Sequence, residues 1–314
     1  MGYRLIQDEA LSRGLKRIAR DEIDSAIEHL SSKDPAKRDL SIHEARKSIK
    51  KLRGLLRMLS PVLGPAAVAD IATLGALGRS LSEYRDAAAL LETVDLLGQH
   101  CRTDAVLEQL SELRRMLRRR AAQTCGTTDL RSVLDQGIIG LRQLKRGVVS
   151  WKLGDGFDAI APGLKKSFRR GRNALKLARA EQTAENFHNL RKRVKDRWYQ
   201  ARILEGLWPN PSQSPERALR DLQEDLGDDH NLEVLRATVP AESVALREFV
   251  DTLQKHLREK SLGAAAPLYE CKPREFVESL QALWNEWQPA ARSAQPSPRG
   301  VKSATAKTRA AAIA

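Results

Sequence analysis

His43-Glu44-Ala45-Arg46-Lys47-Ser48-Ile49-Lys50 recurs 145 residues later as His188-Asn189-Leu190-Arg191-Lys192-Arg193-Val194-Lys195. Each copy sets a histidine and three cations at i, i+3, i+4 and i+7, the spacing of one face of an α-helix. The same offset carries Arg57 to Arg202, Leu74 to Leu219, Leu77 to Leu222, Leu81 to Leu226, and Arg85-Asp86 to His230-Asn231. One offset running through two helices and the loop between them marks an internal duplication, with halves of roughly 1–150 and 151–290. A looser match, at an offset of 149, relates Leu15-Lys16-Arg17 and Arg20 to Leu164-Lys165-Lys166 and Arg169. Two such halves can pack about a pseudo-twofold axis, so that equivalent surfaces face each other.

The remainder of the chain also reads as helix. Apolar residues recur at three and four, strand-like alternation is scarce, and Ala, Leu, Arg and Glu dominate. The pattern predicts an all-α protein with helices near 4–30, 40–60, 66–99, 103–122, 129–149, 157–180, 184–207, 214–238, 242–262 and 273–287. Breaks are expected at Pro35, at Pro61 with Gly64 and Pro65, at Pro209, Pro211 and Pro215, and at Pro240.

On the helix beginning near Leu40, His43, Arg46, Lys47, Lys50, Arg53 and Arg57 occupy about a third of the circumference. Ile42, Ala45, Ile49, Leu52, Leu56 and Leu59 form the core-facing sector beside it. The cationic row runs on the order of 20 Å at the helical rise. It contains no carboxylate, although a face serving only solubility would alternate Glu with Lys. Like charges at this spacing repel, and a bound polyanion relieves the repulsion. Arg brings a planar fork to phosphate oxygens, Lys a mobile point charge, and His a donor whose protonation a phosphate favours. The spacing returns as Arg13, Lys16, Arg17 and Arg20, again as His188, Arg191, Lys192 and Lys195, and in most part as Lys165, Lys166 and Arg169. Four such stripes in symmetric positions would line one groove or pore. The clusters at Arg114–Arg120 and Arg142–Arg146 spread around their helices and read as solvated faces.

Composition agrees with an anionic partner. The 314 residues hold 54 Lys+Arg against 40 Asp+Glu, a formal charge of +14. Residues 291–314 carry five cations and no acid, which leaves +9 on the body, and they are expected to form a disordered basic tail. Aromatics are 4 %, few for a surface that stacks on bases. Cys101, Cys125 and Cys271 form no CxxC pair and no disulfide framework, as in a reducing compartment. No apolar run has the roughly 18 residues a membrane span needs, and the N-terminus has no secretory core. The expected location is the cytoplasm, with no membrane partner.

A His followed by Arg/Lys at +3, +4 and +7, twice per chain, resembles the CHAD domain, the conserved histidine α-helical domain. Each copy here precedes a further signature, Leu81-Ser-Glu-Tyr-Arg85-Asp86 in the first half and Leu226-Gly-Asp-Asp-His230-Asn231 in the second. The closing segment from Phe276 to Trp287 also resembles the family's C-terminal helix, so the likeness covers roughly 5–290. It implies two four-helix bundles in pseudo-twofold arrangement around a basic central cavity. It implies binding of inorganic polyphosphate and association with polyphosphate granules and does not by itself imply catalysis; the protein is expected to be non-catalytic and to carry no cofactor. The expected ligands are the four stripes together with Arg53, Arg57, Arg85, Arg202 and His230. The second copy departs from the first: Asn231 stands for Asp86, Trp198 for Arg53, Asp196 for Lys51 and Arg197 for Leu52. It is therefore expected to supply fewer or differently placed ligands.

Three other functions stay open at this point. Nucleic-acid or general polyanion binding suits the basic helices and tail, but the stripes hold few of the Asn, Gln or aromatic residues that read bases. A metal site would need a second ligand on the helix of His43 or His188, and cations crowd both. A metal-dependent phosphohydrolase would need clustered carboxylates or histidines. No P-loop, dinucleotide fingerprint or nucleophile–base pair is present.

Overall fold

The computed structural model describes residues 2–34, 37–84, 86–124 and 130–288. Pro35, Arg85, Cys125 and the tail at 291–314 lie outside them. The described residues form eleven α-helices and no strand: α1 Leu11–Leu30, α2 Arg38–Leu63, α3 Pro65–Glu83, α4 Asp86–His100, α5 Asp104–Thr124, α6 Leu130–Val149, α7 Ala161–Ala180, α8 Ala184–Ile203, α9 Glu216–Arg236, α10 Val244–Leu268 and α11 Pro273–Trp287.

Three apolar clusters hold them. The first joins α1, α2, α3 and α6 through Leu15, Ile18, Ile49, Leu52, Leu56, Leu74 and Leu141. The second joins α7 to α10 through Phe168, Phe187, Leu190, Val194, Leu222, Leu226 and Tyr269. The third packs α4 and α5 against α9 and α10 through Val94, Leu97, Leu110, Leu113, Leu232, Leu235 and Val250. The α4–α5 hairpin thus reaches out of the first half to cover the second.

Four boundaries differ from the pattern, each for a physical reason. The first helix starts at Leu11, not near residue 4. Tyr3 and Leu5 are both buried, and helical spacing would set residues two apart about 200° apart. The segment is instead a non-helical strap: Leu5 N–H donates to the Ile203 carbonyl at 2.9 Å, and Tyr3 OH to that of Lys51 at 2.8 Å. α2 continues through Pro61 to Leu63. Ser60 Oγ donates to the Arg57 carbonyl at 3.1 Å, the acceptor that proline cannot serve. Gly64, at φ +72°, then ends the helix. The single helix expected over 66–99 is two, because Leu74 and Leu81 face the first cluster while Val94 and Leu97 face the third. α10 passes its expected end at 262 and runs through Pro267 to Leu268, keeping Ala265 buried.

Two close crossings fix α2 against the second half. A Cβ on Gly163 of α7 would stand 1.7 Å from the Met58 carbonyl oxygen, so only glycine allows that backbone contact. A Cβ on Gly54 would stand 2.9 Å from Tyr199 Cβ. Gly54 and Tyr199 are related by the repeat offset, so the two histidine-led helices cross at equivalent positions.

Candidate anion-binding seam

The crossing of α2 and α8 brings their cationic faces together. Lys195 feels both Arg46 of α2 and Arg191 of its own helix. Burial first, then these two guanidiniums, push its amine down to about 8. Arg191 has no hydrogen bond or ion pair among the described residues, and its Nε is buried without a partner. Burial depresses it, partly offset by the fields of Asp228 and Asp229. Lys192 is exposed and lowered by burial and by Arg193, Arg57 and Arg53. Arg53 is depressed by burial, Arg57 and Arg79, and its Nε is also buried and unsatisfied. One continuous field of positive charge therefore runs from Arg79 and Arg53 across Lys192 to Lys195 and Arg191.

Residues of α3 and α9 wall the seam. Arg46 donates to the Gly78 carbonyl at 2.9 Å and to Ser82 Oγ. On the other side the His188 and His230 rings lie 4.7 Å apart. Burial, with Arg191 and His188 beside it, drives His230 down to about 4, so it is neutral at pH 7. His188 is lowered by burial and by Lys192 and Arg191, and its Nδ1 is buried without a partner. Two neutral imidazoles beside an unpaired guanidinium would gain protons next to an anion, since a negative charge favours the charged form of each.

Three carboxylates near the seam are already engaged. Asp196, 5 % exposed, pairs with Arg57 and with Arg193 at 3.3 Å. Burial raises it despite these cations. Asp229 holds Arg258 at 2.7 Å, and Asp225 holds Lys260 at 2.8 Å. Among the described residues no group of three or more His, Cys, Asp or Glu could hold a metal ion.

The other expected ligands are distributed unevenly. Lys47, exposed, pairs with Glu44 at 3.0 Å. His43 and Lys50 lie on the α2 face with contacts of their own. Arg202 stacks over Tyr3 and Trp198, 5.5 and 5.2 Å from the ring centroids. Lys165, Lys166 and Arg169 are exposed on α7. The α1 stripe is bound elsewhere: Arg17 holds Glu9 at 2.8 Å and the Arg4 carbonyl at 2.9 Å, and Lys16 the Val149 carbonyl at 3.1 Å. Asp155 is lowered by hydrogen bonds from Ser12 and, less, by the field of Arg13. Arg20 belongs to the same helix. None of these α1 partners belongs to the seam. Arg85 falls outside the described residues.

Three seam residues escaped the sequence reading. Arg193 stands where the first copy has Ser48, Arg79 where the second has Glu224, and Arg170 lies beside the α7 stripe. Arg170 and Arg193 are near enough for Arg170 to lower Arg193, after burial. Matching positions between halves hides cations that only one half carries.

An all-helical chain with two histidine-led basic helices crossed at equivalent positions defines a class of protein by fold and site. The chain belongs to the CHAD domain family, whose model matches residues 22–240. The crystal structure of the CHAD domain from the plant Ricinus communis is similar in fold, with a TM-score of 0.50 at 20 % identity. The likeness covers 89 % of this chain and 94 % of that one. No curated protein matches the sequence. No helix among the described residues is long and apolar enough to cross a membrane.

Proposed function

We propose that the chain binds inorganic polyphosphate, without catalysis, along the seam between α2 and α8, and that it acts in the cytoplasm on polyphosphate granules. The observation that carries the reading is Lys195: an amine pushed down to about 8 by burial, Arg191 and Arg46, with no carboxylate partner, whose charged form an incoming anion would stabilise. Unsatisfied Nε atoms on Arg53 and Arg191 point the same way. Each phosphate would meet one or two cations, and release of counterions would supply much of the affinity. Polyphosphate presents charge without bases, which matches a seam poor in the side chains that read bases. The duplicated arrangement of the two halves is part of this reading, supported by the Gly54–Tyr199 crossing.

The test is a competition at about 150 mM salt, a concentration at which Debye screening already reaches about 8 Å. Labelled long-chain polyphosphate is challenged with single-stranded DNA and with RNA. The expected result is retention against a large mass excess of nucleic acid. Ready displacement would make the protein a general polyanion binder. A double Arg46→Glu, Arg191→Glu variant that bound normally would remove the seam as the site.

A further inference from the structure

Helix α3 borders two different sites. Towards α2 it meets the seam: a Cβ on Gly75 would stand 3.4 Å from the Arg53 guanidinium, and the Gly78 carbonyl accepts from Arg46. Towards α6 it borders a groove of about 270 Å³, close to the lower end of small-molecule sites at about 300 Å³. The two helices touch where Leu77 presses on Gly137, since a Cβ there would stand 2.8 Å from Leu77 Cδ1. Three residues along α6, a Cβ on Gly140 would meet nothing within 4 Å. The helices therefore part beside Gly140 and leave a trough. Leu74, Leu77, Leu141 and Leu144 give it apolar walls, and the exposed Thr73 stands at its mouth.

Asp70 is the one charged side chain among the described residues that line this groove. It is partly buried and has no hydrogen bond or ion pair among the described residues. Burial raises its carboxyl, and no cation of this basic chain offsets the rise. A carboxylate beside apolar surface costs free energy that a paired cation offsets. The α3 wall runs from Asp70 to Ser80, on the order of 15 Å at the helical rise, with the charge at one end. A lone acid among leucines lacks the several oxygen ligands that a metal ion takes. Charge at one end and hydrocarbon along the rest match a molecule built the same way.

We propose that the groove between α3 and α6 binds linear alkylammonium compounds, the ammonium pairing with Asp70 and the hydrocarbon chain lying along Leu74, Leu77 and Leu141. A primary ammonium has three N–H donors; Asp70 accepts one or two, and the Thr73 hydroxyl, one turn on, accepts another. The trough walls take the chain out of water, so affinity grows with its length. Groove and seam lie on different faces of α3, and the site does not depend on polyphosphate binding.

The experiment titrates the full chain at pH 7 with butylamine, hexylamine and octylamine, and with 1-octanol as the uncharged analogue, following binding by calorimetry. Affinity is expected to rise about fourfold per methylene until the groove is full. Octylamine should bind at least about tenfold more tightly than octanol. Asp70→Asn should bring octylamine down to the octanol level. Gly140→Leu should abolish binding of both, because its side chain grows into the trough. Leu is a better helix former than Gly, so the melting temperature of that variant should not fall. Equal affinity for octylamine and octanol, octylamine binding that survives either substitution, or no binding of octylamine overturns the proposal. Polyphosphate affinity of Asp70→Asn should match that of the parent. A parallel loss there would show that the substitution disturbs α3 as a whole, and would overturn a separate site.

Discussion

The two copies of the histidine-led helix share a pattern and differ in how their charges are used. On α2, Arg46 is tied to Gly78 and Ser82, Lys47 to Glu44, Lys51 to Glu22 at 2.8 Å, and Arg57 to Asp196. On α8, Arg191, Lys192 and Lys195 have no hydrogen bond or ion pair among the described residues. From substitutions such as Lys51 to Asp196 and Arg53 to Trp198 the sequence reading expected the second copy to supply fewer or differently placed ligands. Those substitutions also brace the crossing. Asp196 neutralises Arg57 across the seam, and Trp198 supports Arg202 while donating to Glu216 at 2.8 Å. The two stripes share one spacing, but most cations of the α2 stripe are tied to protein partners, Arg53 excepted, while Arg191, Lys192 and Lys195 of α8 are not.

The largest effect should come from setting one helix against the other. Arg191→Glu with Lys195→Glu and Arg46→Glu with Lys50→Glu change net charge equally. Charged hydrogen bonds contribute about 1.5–3 kcal/mol each, so the α8 pair should cost at least about 3 kcal/mol of polyphosphate affinity, more than a hundredfold. The α2 pair should cost less in binding and more in melting temperature, since Arg46 also holds α3. Equal losses of affinity from the two pairs would break the distinction between scaffold and ligand face.

Asp196 offers a test of the scaffold side. Breaking a buried pair by removing one partner leaves an uncompensated charge, at a cost of about 3 kcal/mol. Asp196→Ala should therefore lower the melting temperature of the free protein, while saturating polyphosphate restores most of it by replacing the lost negative charge. Restoration would show that carboxylate and phosphate are interchangeable partners for Arg57 and Arg193. A deficit unchanged by ligand would make Asp196 a purely architectural residue.

How much of this could be read in advance follows from what each signal encodes. Helical periodicity reports local burial, so it found nearly every helix, yet it missed the split at Tyr84 because α3 and α4 are both amphipathic and differ only in partner. It also extended helix one over Tyr3 and Leu5, whose burial against α8 is a long-range contact. The repeat offset located the seam, because residues 145 apart do meet at Gly54 and Tyr199. Charge spacing identified the cations of α2 and α8 but could not separate paired from unpaired ones. Pairing depends on residues such as Glu9 and Asp196, whose positions are set by packing. Arg17 and Arg46 look alike in sequence, and only the fold gives the first to Glu9.

A smaller effect concerns salt. Each cation that meets a phosphate adds roughly 0.7–0.9 to the slope of log affinity against log salt concentration. Arg191→Gln with Lys192→Gln should reduce that slope by about 1.5. Arg13→Gln with Lys16→Gln on α1, whose contacts lie away from the seam, should leave it nearly unchanged. A comparable fall from the α1 pair would extend the ligand track beyond the seam and weaken the contrast between the helices.

The finest difference is in protons, and it has a definite sign. Lys195 titrates near 8 in the free protein, below its unfolded value, so the unfolded chain binds more protons between about 8 and 10.5. Stability of the free protein should rise with pH across that window. A polyanion raises the amine, so binding takes up a proton above about pH 8, and affinity should fall there by at most tenfold per pH unit for this group. His230, near 4 when free, acts in the acid range. Its protonation on binding makes affinity grow as pH falls from about 6.5 towards 4, while the free protein loses stability over the same interval. Calorimetry in buffers of different ionisation heat would count both uptakes. Lys195→Gln should abolish the alkaline one and leave the acid one intact, and His230→Gln the reverse. If instead the alkaline uptake survives Lys195→Gln and disappears with Lys50→Gln, the cation that matters lies on α2, and the division of labour between the helices is inverted.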